Sequence, residues 1–546
     1  MDVTKDNFID LVPEIESKIS DCDFVSFDLE FTGLFTEYQN GFLDNHEQLY
    51  SRCRNNISKF QIIQVGLSFF KMITEKEFDC HSYNFYIFPR RCQLLSKEGK
   101  ERYFLCQTSS LEFLCQNGFN FNKLICDGIS YLNLSQEKEV VEKLNQPNSE
   151  SRIQIGNNDI DKSFIDETMK LIIDFYNDAD RQEMELPPAN SYRRRLIYET
   201  VNDSQYKDKL LLESNNTDKF KIMVKKISLE EKEETKRKKL LEFIGFTSII
   251  KLIIESRKPL VGHNCKLDLL YLYQTFIGPL PESYSEFKSL FNSLFPAVYD
   301  TRFISSQGIL ANLISNNCLN NLYAAILEHP FIQTVTNLKN LVNEGERFHE
   351  AGYDSYITGC SFINLIRYLY AQEFTTITNV FSNEILSNVR NKIGIVGNYD
   401  IKYINLEKED ISLVRNHVFH IMHPKEWKTN DIYQLFTEYG GLYSVRFIND
   451  YSAFCILRQP ENAGLVIKVL FFVLQLYADY VGNGNKRKLS NEYIESSKPK
   501  KIRKDLEVNS QQKQIDYNNS DVLNENSDST SNDSSQLFEI PSWSVS

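Results

Sequence analysis

Paired cysteines are missing from this sequence. Its eleven cysteines are scattered, and no two form a C-x-x-C pair. That excludes a Cys₄ zinc site of the usual spacing, argues against a disulfide framework and fits a reducing compartment. No basic-then-apolar stretch opens the chain, which begins Met1-Asp2-Val3-Thr4-Lys5-Asp6, so no secretory leader is expected. An overall basic excess is missing too. The net charge is −13 and the pI about 5.3, so a nucleic-acid partner has to meet a local basic patch in an acidic whole. Long apolar runs are scarce. The run Leu465 to Val481 is slightly short for a membrane span and carries Lys468 and Asp479. A buried or amphipathic terminal helix is expected there, and no membrane partner. Tryptophan is nearly absent: with only two in the chain, Trp427 stands out.

What is present is enough apolar material for real cores. Hydrophobic residues make up 42% of the 546 positions, and that length corresponds to about two to four domains.

The stretch Phe24 to Gly33 (FVSFDLEFTG) reads as a buried strand with two acids in it. Strand side chains alternate between faces, so Asp28 and Glu30 share one face and Phe27, Leu29 and Phe31 the other. Two like charges side by side repel unless a cation sits between them or water solvates both. Hard oxygen ligands suit Mg²⁺ or Mn²⁺; the alternative is a solvated acidic face.

Residues 1–22 read as a helix. Residues 60–70 and 83–88 are two further strands, rich in β-branched and aromatic side chains, which with 24–31 predict an antiparallel meander. The polar segment 36–58 is expected as a loop over a binding face. Helical periodicity returns at 108–118 and 121–132. Residues 134–162 read as a polar boundary, and 163–228 as a small inserted unit with a helix, Pro187-Pro188, a basic helix start at Arg193-Arg194-Arg195 and a strand from Lys219 to Val224. A charged helix or linker follows at 229–240. Residues 385–412 read as a connection. From Val418 an α/β module is expected: strand, helix (Asp431 to Tyr439), a Gly440-Gly441 turn, strands Tyr443–Ile448 and Ala453–Leu457, and a last helix. Beyond 482 the composition predicts disorder. The basic clusters Lys486-Arg487-Lys488 and Lys498 to Lys504 there read as a nuclear import signal or a solvated charge run.

Further acids follow. Asp268 lies in an apolar run (LDLLYLY), after Gly262-His263-Asn264, where a carboxylate needs a partner unless it faces solvent. One helical turn separates Asn264 from Asp268, so they can share a face. His349 and Asp354 are five apart. In one helix they would stand roughly 140° apart. They converge only if His349 lies in a loop before a helix that starts near Ala351 or Gly352.

Asp28 and Glu30 in "FDLEFTG", Asp268 in "GHNCKLD", and His349 and Asp354 in "HEAGYD" resemble the DEDDh 3′-exonucleases of the CAF1 family, in order and context. More closely, the chain resembles the poly(A)-specific ribonucleases, through "LPPANSYRRRLIYET", "GPLPESYSEFK", "YDTRF", "HPKEWKTNDIYQLF" and the terminal "LFEIPSW". The resemblance implies an α/β chain: a ribonuclease H-like mixed-sheet nuclease domain, a small inserted α/β nucleic-acid-binding domain and a C-terminal ferredoxin-type domain like an RNA-recognition motif. The divisions become 1–160 and 229–384 for the nuclease, 161–228 for the insertion, 385–412 for a linker, 413–481 for the RNA-recognition-like domain and 482–546 for the tail.

The implied activity is 3′-to-5′ shortening of poly(A) tails, releasing 5′-AMP. The cofactor implied is two Mg²⁺ ions, replaceable by Mn²⁺, held by Asp28, Glu30, Asp268 and Asp354, with His349 as general base. The substrate implied is single-stranded RNA with a 3′ poly(A) tail; Phe31, next to the acids, is a candidate for stacking on it or else a core residue, and Arg302 in "YDTR" resembles a basic residue that reaches the RNA in this family or else is a surface Arg. Trp427, between Lys425 and Lys428, is a candidate stacking platform for a 5′ methylguanosine cap; otherwise it is a half-buried packing residue. The inserted unit lacks the Arg-x-x-x-His signature of its kind. The resemblance also implies a homodimer in the nucleus, nucleolus and cytoplasm. Its alternatives are a non-catalytic cap- and RNA-binding regulator on the same fold, and a sister exonuclease that matures small non-coding RNAs.

Overall fold

The computed structural model describes residues 1–36, 41–95, 101–145, 159–214, 220–331, 334–339, 349–370, 381, 384–470 and 474–476. Residues 1–410 form one compact unit, and a second begins at Ile411.

The first unit is built on a mixed seven-stranded sheet: β1 (Asp2–Val3), β2 (Phe24–Phe31), β3 (Ile62–Thr74), β4 (Glu77–Tyr86), β5 (Leu260–Gly262), β6 (Val298–Asp300) and β7 (Val335–Lys339). The order is β1-β4-β3-β2-β5-β6, with β7 also on β4. The expected meander β2-β3-β4 is antiparallel, whereas β5 joins β2 in parallel and β6 joins β5 in parallel. Helices cover both faces, which is why β2 is buried almost throughout. On one face Phe27 and Leu29 meet Ile250 and Ile253 of the helix Thr247–Ser256.

The other face is laid out in rows by strand register. Phe24, Phe70 and Cys80 form one row; Ser26, Ser68 and Ser82 the next; then Asp28, Gly66 and Asn84; then Glu30, Gln64 and Tyr86. The helix Ala351–Leu369 lies along these rows. Phe362 meets Phe24 edge-on at 5.3 Å between ring centroids, and Phe24 stacks on Phe70 at 4.9 Å. At the serine row, the Ser355 hydroxyl is 2.8 Å from that of Ser68, and Ser26 donates to the Ser355 carbonyl at 2.7 Å. The face therefore grades from aromatic to hydroxyl to acid, and the helix start lands on the acids.

Several expectations give way. Residues 36–58 do not form a binding loop: His46–Ile57 is a helix. Asn45 and Gln48 cap it reciprocally at 2.9 Å, and Tyr50, Cys53 and Ile57 recur on its buried side. The helix expected over 121–132 stops at Asp127, because Gly128 ends it and Ile129 and Tyr131 pair with Ile87 and Gly245. Part of the 134–162 boundary is helix, Leu134–Asn145, whose Val140 is fully buried. The inserted unit has its own core: the helices Asp159–Asn177 and Ser191–Asn202 close on three antiparallel strands, Glu183–Glu185, Ile222–Lys226 and Leu210–Ser214 in spatial order. Two of those strands escape the sequence pattern.

Residues 385–412 are more than a linker. Lys392–Gly394 and Tyr403–Asn405 pair as an antiparallel hairpin. It is held to the sheet by Asn391, which donates to the Val298 carbonyl at 2.8 Å, and by Gly394, which donates to Asp300 Oδ2 at 2.9 Å.

In the second unit a four-stranded antiparallel sheet packs on the helix Thr429–Leu435. The run at 465–481 is not one helix. A helix Ala463–Leu470 is followed by a strand, Leu474–Leu476, which pairs with Val418–Met422. Among the described residues no helix is long and apolar enough to cross a membrane. The tail with its basic clusters lies outside the described residues.

Candidate active site

The acids on β2 meet the helix that starts at Ala351. Asp28, Glu30 and Asp354 each offer a carboxylate oxygen, and the three lie within 4.8 Å of one another. All three are buried, at 4%, 1% and 0% exposure. Each has one buried oxygen without a hydrogen-bond partner: Asp28 Oδ2, Glu30 Oε1 and Asp354 Oδ1. Buried charges of one sign in this arrangement are costly, and the electrostatics show it. Burial pushes Asp28 well above the usual carboxylate range, and repulsion from Asp354, Glu30 and Asp268 adds to it. Glu30 is raised for the same reason, with Asp354 and Asp268 as its repelling neighbours. Burial raises Asp354 to about 8, against a lowering contribution from the His349 backbone N–H. Hard oxygen donors, unpaired and close together, fit a divalent cation of the Mg²⁺ or Mn²⁺ type.

Asp268 is outside that tight trio but near enough to repel both Asp28 and Glu30. It opens the helix Lys266–Leu272, and burial raises it to about 7. Asn264 does not share its helix face. It sits before the helix in a left-handed conformation, φ 54°, and its N–H donates to Asp300 Oδ1 at 2.8 Å.

Asp300 is the acid that sequence reasoning passed over. It is fully buried, yet both of its oxygens are used: Oδ1 also accepts from Arg302 N–H at 2.9 Å, and Oδ2 from Gly394. It is satisfied by backbone alone, unlike the trio, and so organises the loops around the site. The signal available in the sequence was an Asp ending a strand before a helix, the N-cap position.

His349 stands in the loop before the helix, as its spacing from Asp354 required, with φ 69°. Its N–H donates to Asp354 Oδ2 at 3.0 Å, and its ring meets Phe113 edge-on at 4.7 Å. Phe31 is partly exposed and stacks on the buried Tyr271 at 4.2 Å. Arg302 follows β6, two strands away from β2 in the sheet, with its guanidinium partly buried near His263. Trp427 belongs to the second unit, where it is half-buried against the core between Val418–Met422 and the helix Thr429–Leu435. Lys425 beside it pairs with Asp450 at 2.7 Å.

A family model described as CAF1 family ribonuclease matches residues 3–362, well over half of the chain and the whole acid set. The chain belongs to the CAF1 family of ribonucleases. A second model, an RNA binding domain, matches residues 408–483 of this CAF1-family chain. It is 32% identical to the poly(A)-specific ribonuclease PARN of Xenopus laevis, over 89% of this chain and 82% of that one. It is 30% identical to the pre-piRNA 3′-exonuclease trimmer of Bombyx mori, over 67% of this chain and 71% of that one. Among solved structures it is similar to Pop2p of S. pombe in its Mg²⁺- and Mn²⁺-bound form, at 15% identity, over 72% of this chain and 98% of that one. The TM-score there is 0.35, a likeness too slight to carry an argument.

Proposed function

We propose that this protein is a 3′-to-5′ exoribonuclease that shortens poly(A) tails and releases 5′-AMP. The observation that carries the proposal is the trio Asp28, Glu30 and Asp354, each with an unpartnered buried oxygen, beside a histidine whose backbone N–H is bonded to Asp354. Membership of the CAF1 ribonucleases supports it, as does the likeness to poly(A)-specific ribonuclease along most of the chain.

Asp28, Glu30 and Asp354 would hold two Mg²⁺ ions, with Mn²⁺ able to replace them, and Asp268 would complete the set. The chemistry supplied by bound ions is charge neutralisation at the attacked phosphate and stabilisation of the leaving 3′ oxygen. His349 takes the proton of the attacking water. An imidazole is suited to that transfer near neutral pH. Asp354 holds the loop of that base through the His349 N–H. Phe31, backed by Tyr271, offers a ring on which the terminal base stacks, and Arg302 supplies positive charge for the phosphate backbone. In the second unit, the half-exposed Trp427 ring beside Lys425 and Lys428 is the group we assign to a methylguanosine cap.

A time course tests this, with capped and uncapped RNAs ending in A, U or C, in Mg²⁺ or in EDTA. Fastest loss of the A-ending tail, only with Mg²⁺, is expected. Equal rates on all tails would remove the poly(A) assignment and favour the second reading, a maturase of small RNA 3′ ends, which the likeness to the Bombyx mori trimmer supports.

A further inference from the structure

A helix begins with four backbone N–H groups that have no partner within it. The helix Ala351–Leu369 brings Asp354 into the site, and its N-cap residue, Glu350, gives no side-chain cap. Of the N–H groups of its first three residues, that of Tyr353 donates to the Glu350 carbonyl at 2.8 Å, the carbonyl that also takes the first regular helical bond, from Asp354, at 2.9 Å. The other two are taken by remote strands. Ala351 donates to Gln64 Oε1 on β3 at 3.0 Å, and Gly352 donates to Asn84 Oδ1 on β4 at 3.2 Å. Gln64 and Asn84 are each 1% exposed. The Asn84 amide is fixed in orientation, because its Nδ2 donates to Glu350 Oε1 at 3.1 Å and to Asp2 Oδ1 at 3.0 Å.

We infer that Gln64 and Asn84 are positioning residues of the exonuclease site, capping this helix from the neighbouring strands and so setting His349 and Asp354 against the acids of β2. Three features make this more than packing. Gln64 is the register partner of Glu30, and Asn84 lies in the row of Asp28, so the strands that carry the caps are in register with the acids. The capped N–H groups are bracketed by His349 and Asp354. And Gly66, between the two caps, leaves no room for a side chain: an added Cβ would lie 1.7 Å from the Ala351 carbonyl oxygen. The helix start rests on backbone and is held there by two amides. An amide is also the right acceptor here. A carboxylate, an otherwise common cap, would place a further negative charge next to three buried acids.

The inference rests on the assignment of Asp354 and His349 to the reaction, so Asp354→Asn is assayed alongside. The test variants are Gln64→Met, which keeps the volume and loses the acceptor, and Asn84→Ala. The control is Ser68→Ala, which removes buried hydrogen bonds of the same interface, to Ser82 and Ser355, and leaves the capped N–H groups of Ala351 and Gly352 untouched. Steady-state kcat and KM are measured on an A-ending RNA, with RNA affinity in EDTA and the thermal midpoint. Gln64→Met and Asn84→Ala are expected to lose kcat about tenfold or more, the scale on which a displaced catalytic group costs rate, with KM and RNA affinity within about twofold. Ser68→Ala is expected to lower the thermal midpoint while keeping kcat. Unchanged kcat in the two cap variants overturns the inference, as does an equal loss in Ser68→Ala. If both cap variants fail to fold while Ser68→Ala folds, the amides are purely structural and the inference is again overturned. A fully active Asp354→Asn overturns the site assignment itself; an inactive one beside fully active cap variants overturns only the positioning role.

Discussion

The backbone N–H of His349 donates to Asp354 Oδ2 at 3.0 Å, five residues further along the chain. One carboxylate thus serves two ends. Oδ1 is buried without a hydrogen-bond partner, and Oδ2 ties down the loop that carries the histidine. His349 pays for this with a left-handed backbone, sparsely populated for a residue with a side chain.

From this pairing, His349→Ala should lower kcat by roughly 10²- to 10⁴-fold, the usual worth of a positioned general base. The Asp354 bond to the backbone survives the change, so the thermal midpoint and RNA affinity in EDTA should move little. A kcat within a few-fold of the native value would exclude His349 as the base.

The raised acids give a pH dependence whose sign follows from linkage. In the folded chain Asp268 titrates at about 7 and Asp354 at about 8, both above the ordinary Asp value of 3.8. A folded pKa raised above the unfolded one contributes stability that is fully present below the unfolded value and lost as pH rises through the folded value. With EDTA present, the thermal midpoint should therefore fall as pH rises from about 5 to about 8, and Mg²⁺ should remove most of the slope. A midpoint that rises over this range without metal contradicts the buried acid cluster.

Asp28→Asn should abolish degradation and, in EDTA at pH 8, raise the thermal midpoint. It removes one of the buried like charges that burden the metal-free fold. Parallel unfolding curves and a gel assay of an A-ending RNA check both halves. Retained degradation would displace the site from β2.

Gly66→Ala forces a Cβ against the Ala351 carbonyl, where backbone cannot yield cheaply. The cost is expected at about 1–3 kcal/mol or more in stability, with a larger loss of rate as the helix start lifts from the acids. Denaturant unfolding with single-turnover kinetics measures both. An unchanged rate would show that the approach at Gly66 does not set the site.

Trp427→Ala should weaken binding of a cap analogue while leaving degradation of uncapped RNA intact. Because the ring also packs on the core of its unit, some loss of stability there is expected. Tryptophan fluorescence titration with the analogue, compared with the native chain, decides the assignment.

The acid pair on β2 was legible in the sequence because a strand has period two: Asp28 and Glu30 had to share a face wherever the strand went. The helix start at Ala351 was legible because His349 and Asp354 could meet no other way. The His46–Ile57 helix was missed, since a polar segment with a few apolar residues shows its buried side only once something packs on it. The hairpin at 392–405 was missed for a related reason. Its strands are three residues each, too short to show alternation, and are held by bonds from Asn391 to Val298 and from Gly394 to Asp300.

By itself the sequence determined the order of the acids, the faces they occupy and the chemistry such residue types perform. Only the tertiary structure decided which carboxylate oxygens stay unpartnered, that Asp300 is consumed by backbone N–H groups, and that Gln64, Gly66 and Asn84 seat the helix of Asp354. Those outcomes depend on contacts between residues up to hundreds of positions apart. No local periodicity encodes such contacts; they exist only after strand register brings the rows of β2, β3 and β4 beneath one helix.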